Sequence, residues 1–69
     1  MNIMPTTEPI SLAQQIECVE REINMRLRVY PRLISQQKMS QVKADKELAA
    51  MRAVLETLHA IDRGHVAPA

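Results

Sequence analysis

The chain predicts an all-α fold: an antiparallel helical hairpin that pairs with a second copy into a homodimeric four-helix bundle. Three observations carry this expectation. Leu12, Ile16, Val19, Ile23, Leu27 and Tyr30 recur in steps of four, three, four, four and three residues, the period of one helix face. Ala44, Leu48, Met51, Leu55 and Leu58 repeat the rhythm downstream, and Ser35-Gln36-Gln37-Lys38-Met39-Ser40 between them carries no stripe. Hydrophobic residues make up 46% of the chain but aromatic ones only 1%, with a single glycine, which fits packed helices rather than a β-sandwich or a disordered tail.

Residues 1–10 form an irregular lead-in, because Pro5 and Pro9 flank Thr6, Thr7 and Glu8. The hairpin occupies residues 11–63. Ser11 is a good N-cap, and Gln14 stands three residues on, where a capping box places Glu or Gln. The first helix then runs over about residues 12–35. Glu17 with Arg21 and Glu22 with Arg26 are i,i+4 pairs in the favourable order, and the acidic residues precede the basic ones along the helix dipole. Pro31 lacks an amide donor and crowds the Leu27 carbonyl, so a kink is expected there, with Leu33 and Ile34 continuing the helix for one more turn. Ser40 caps the second helix, over about 41–62, and Gly64 stops it beside Arg63. Residues 64–69 are expected to fray.

Each helix also carries a second, weaker apolar line: Cys18, Met25 and Val29 on the first, Ala50, Val54 and Ile61 on the second. One stripe per helix closes a hairpin, and the second lines widen each face beyond what a two-helix partner covers. A chain of 69 residues without a disulfide or a structural metal also has a marginal core. Both facts point to a homodimer whose core combines Leu12, Ile16, Val19, Ile23 and Leu27 with Leu48, Met51, Leu55 and Leu58.

Nothing in the chain has the spacing of a catalytic or metal centre. His59 and His65 are six apart and share no helix face, Cys18 has no histidine at useful spacing, and one glycine makes no phosphate-cradling loop. No enzyme activity, cofactor or metal is expected, and Cys18 is expected as a buried or half-buried structural thiol. The net charge of +1 gives no global field toward nucleic acid or acidic lipid. The N-terminus lacks the basic and apolar regions of a signal peptide, and no stretch approaches the ~18 apolar residues of a membrane span. The lone thiol suits a reducing cytoplasm.

Arg26-Leu27-Arg28-Val29-Tyr30-Pro31-Arg32 is the most unusual segment. It alternates guanidinium groups with apolar side chains and holds the only aromatic residue. Arginine and tyrosine are enriched among interface hot spots because they join large apolar contact to directional hydrogen bonds. Arg26, Arg28, Tyr30, Arg32 and Leu33 are therefore the candidate partner-binding residues.

The run from Ile16 to Pro31, continued by Lys38-Met39-Ser40 and by Ala44-Asp45-Lys46-Glu47-Leu48 with Met51, resembles a group of small early proteins of temperate phages. In that group an Arg-rich first helix ends in Val-Tyr-Pro and a Lys-Met turn opens the second. The group is similar in size and layout to phage anti-quorum-sensing anti-activators. The resemblance spans about residues 16–58. It implies a hairpin dimer in the host cell cytoplasm that sequesters a LuxR-type quorum-sensing regulator and also inhibits the type IV pilus extension ATPase. It assigns no partner-contacting positions. Two other readings stay open: a nucleic-acid-binding hairpin dimer using Arg21, Arg28, Arg32, Lys38 and Lys43, and a structural or accessory phage protein. Interleaved glutamates and a single aromatic weigh against the first.

Overall fold

The computed structural model describes residues 9–64, which form two helices in antiparallel contact, α1 (Leu12–Ser35) and α2 (Gln41–Asp62). The bounds are those the capping residues set. Ser11 Oγ accepts the Gln14 amide at 3.1 Å while Gln14 Oε1 accepts the Ser11 amide at 2.9 Å, a complete capping box. Ser40 Oγ accepts the Lys43 amide at 3.0 Å and opens α2. At the far end Gly64 takes φ +83°, and its amide returns to the Ile61 carbonyl at 3.0 Å. The lead-in before residue 9 and the tail from residue 65, His65 included, lie outside the described residues.

Pro31 sits inside α1, and the helix continues past it to Ser35. The Leu27 carbonyl thereby forgoes its helical amide donor. The turn after α1 closes the last helical turn with a full Schellman motif: the Gln37 amide donates to the Ile34 carbonyl at 3.0 Å and the Lys38 amide to the Leu33 carbonyl at 2.8 Å. Gln37 occupies the left-handed position, at φ 59°, where glycine is the usual residue.

Packing between the helices is sparse. Among the described residues only Ile23, at 7% exposure, and Ala44, at 1%, are buried. Ala44 has no side chain beyond Cβ, so its complete burial marks where the helices come close. Leu12, Ile16 and Val19 on α1, and Leu48, Met51, Leu55 and Leu58 on α2, are half-buried. Leu27 departs from this set at 44% exposure, because opposite Ala44 there is no long side chain to cover it. Met25, Val54 and Ile61 of the second lines are exposed, and so is Cys18. The exposed thiol corrects the expectation of a sheltered one: Cys18 lies on the second line, one heptad before Met25, and a single hairpin has nothing to lay over it.

Candidate functional site

Arg26 ties the two helices together. Its Nε donates to Glu22 Oε1 at 2.9 Å within α1, and its Nη1 lies 3.7 Å from Glu47 Oε1 on α2. The side chain is only 23% exposed. The hydrogen bond with Glu22 is the largest influence on its proton affinity and raises it. Desolvation opposes, and the nearby Glu22 and Glu47 carboxylates add to the rise. An arginine is already protonated throughout the working pH range, so the guanidinium stays charged in this setting.

The next residue on each helix, Leu27 and Leu48, faces a different way. One helical step turns the side chain by about 100°, so the Arg26–Glu47 bridge and the Leu27–Leu48 pair lie on opposite edges of the seam. On the leucine side the helices part to leave a cleft of about 340 Å³, walled by Leu27, Tyr30, Pro31, Ile34, Ala44 and Leu48. Ser35 and Gln41 form its polar edge. Ala44 and Pro31, two compact side chains, leave this space open between the helices. A shallower hollow under the turn shares Ile34 and Gln41 with it and adds Lys38 and Met39. The two make one groove running around the hairpin end.

The five candidate partner-binding residues therefore do not share one surface. Tyr30 is half-buried in the cleft wall. Arg28 and Arg32, three residues before and one after Pro31, are exposed and line neither the cleft nor the hollow, and neither has a carboxylate within 4.0 Å among the described residues. Arg26 occupies its donors on the other edge of the seam, and Leu33, one heptad on, stands on that same edge. Glu17 and Arg21 pair at 3.4 Å in full exposure, a contact of little energetic weight.

The stripe pattern did not single out Ile34 and Gln41 as groove residues, or the cross-helix role of Glu47. A signal for the latter was present, since Arg26 and Glu47 stand eleven and ten residues from Gln37 on either side of the turn. Equal distance from a hairpin turn places oppositely charged residues at one level of the two helices. No three His, Cys, Asp or Glu side chains gather among the described residues, and no described helix is long and apolar enough to cross a membrane. Comparison with known proteins returns no relative: no family model matches the chain, and no curated protein or solved structure is similar to it.

Proposed function

We propose that this protein is a non-enzymatic, homodimeric binding module that disables a host protein by covering a surface it needs. The observation that carries the reading is the distribution of apolar surface. Among the described residues one hairpin buries only Ile23 and Ala44 and leaves large apolar side chains exposed on both edges of its seam, Leu27 on one and Val54 and Ile61 on the other. Two such faces suit two occupants, a second copy of the chain and a target. In the four-helix bundle the stripe residues from Leu12 to Leu27 and from Leu48 to Leu58 form or border the core. The resemblance of residues 16–58 to the phage anti-activators supports a LuxR-type quorum-sensing regulator as the target, with the type IV pilus extension ATPase as a second one, both met in the host cytoplasm.

The mechanism is occlusion. An apolar, arginine-bordered surface contributes contact area and planar donors for carboxylates or carbonyls of the target, and a regulator so covered no longer reaches its operator. The test is direct. Purified LuxR-type regulator bound to its operator DNA releases that DNA when the hairpin is added at stoichiometric concentration. Regulator that holds its operator unchanged contradicts the proposed target.

A further inference from the structure

The Arg26–Glu47 bridge fixes which parts of the two helices share a side of the seam. On α1, Cys18, Met25, Val29 and Leu33 run along that side, with Glu22 between Cys18 and Met25 in steps of four and three. On α2, Ala50, Val54, Leu58 and Ile61 lie three, seven, eleven and fourteen residues past Glu47, on the same side. Steps of three and four are those of a seam between packed helices. Both second apolar lines thus belong to one face of the hairpin. Glu22 interrupts the α1 line and Glu47 heads the α2 line, and these are the two carboxylates that Arg26 holds. The polar break is neutralised within the face, by a guanidinium side chain only 23% exposed. Met25, Val54, Ile61 and Cys18 remain uncovered. The opposite side differs. It carries the cleft near the turn, and farther along a hollow where Glu20 and Asn24 stand beside Ile23 and Leu55.

We infer that a second copy of the chain covers this face, with Arg26, Glu22 and Glu47 as a polar layer inside the interface and the cleft side turned outward. Three observations choose a second copy as the occupant. The hairpin needs this covering before any target arrives, since Ile23 and Ala44 alone are buried among the described residues and helices are held by tertiary packing. The face also has the size for it. Two helices of 22 and 24 residues, at about 1.5 Å rise per residue and ~10 Å diameter, present a side of roughly 700 Å², near the ~800 Å² per partner of a standard interface. Lastly, a twofold interface sets one patch against itself, and an apolar face whose arginine is matched by its own carboxylates meets that condition. A single polar layer in an apolar seam also fixes how the helices align. The inference rests on the homodimer proposed above and names the surface that makes it.

Cys18 lies on this face and is the chain's one thiol, so its alkylation rate reports directly on the covering. The experiment compares the full chain with a Cys18→Ser, Asn24→Cys variant, which moves the thiol to the opposite side. Both positions are exposed in one hairpin. Each rate with a maleimide is divided by that of the same chain unfolded in urea. At concentrations where sedimentation shows the dimer, Cys18 should react at least about tenfold more slowly than the thiol at position 24. Val54→Glu, which puts a charge on the face, should raise the concentration needed for association about tenfold or more, whereas Asn24→Glu should not. The thiol comparison is made within a folded dimer and does not depend on how Val54→Glu folds. A dimer in which Cys18 reacts as fast as position 24 overturns the inference and leaves the homodimer standing, as does association unchanged by Val54→Glu. Protection of Cys18 that arises only when a LuxR-type regulator is added assigns the face to the target and overturns the inference too. A folded monomer at every concentration removes the homodimer itself, and the inference with it.

Discussion

Arg26 and its neighbours Arg28 and Arg32 are one residue type in three settings, and their substitutions should separate accordingly. Arg26 joins α1 to α2 through Glu22 and Glu47, so Arg26→Ala is expected to lower the melting temperature. Arg28→Ala with Arg32→Ala removes exposed guanidinium groups that bond nothing charged among the described residues, so helicity and melting temperature should stay unchanged. Affinity for the host target should fall by ~2 kcal/mol, the usual scale of an interface hot spot. Calorimetry and circular dichroism on the two variants check both halves. A double variant that binds as tightly as the parent moves the target surface away from these arginines, and the exposed Val54–Ile61 face of α2 is the next to mutate. Residue spacing alone could not make this separation. Alternating arginines in a segment look equivalent until a carboxylate on another helix is brought beside one of them.

At the level of elements, the helices and their ends were readable from the chain because they depend on local chemistry. Ser11 with Gln14, Ser40, the Glu–Arg pairs of α1 and Gly64 each act within four residues, and each does what its type and position require. The continuation of α1 past Pro31 follows from the same logic, since Leu33 and Ile34 keep the apolar rhythm and the Schellman bonds close the last turn. The turn itself was less readable. Gln37 adopts φ 59° although glutamine has no preference for the left-handed region, because the two bonds at Gln37 and Lys38 hold it there. Such a residue costs about 1 kcal/mol relative to glycine. Gln37→Gly should therefore raise stability by up to about 1 kcal/mol, and Gln37→Val, with a branched Cβ at positive φ, should lower it by more. Chemical denaturation of the pair checks the sign, and a destabilised glycine variant would remove left-handed strain from the account of the turn.

Across the whole molecule the groove and the exposed second lines depend on how two helices meet, which periodicity does not specify. The stripes said which residues face inward, yet Ala44 rather than a leucine became the most buried side chain, and Leu27 was left open beside it. Those outcomes follow from side-chain length at one level of the seam. Two buried residues are a small core for two helices of 24 and 22 residues, and helices are held in folded proteins mainly by tertiary packing of an apolar face. Pairing of hairpins is thus the central claim, because it supplies the packing that one hairpin lacks, and folding and association should be coupled through mass action. Sedimentation equilibrium at micromolar concentration tests it most directly. The account predicts twice the 7.8 kDa chain mass, with a melting temperature that rises as the protein is concentrated. A stable, fully helical species at 7.8 kDa, with a melting temperature independent of concentration, would contradict it.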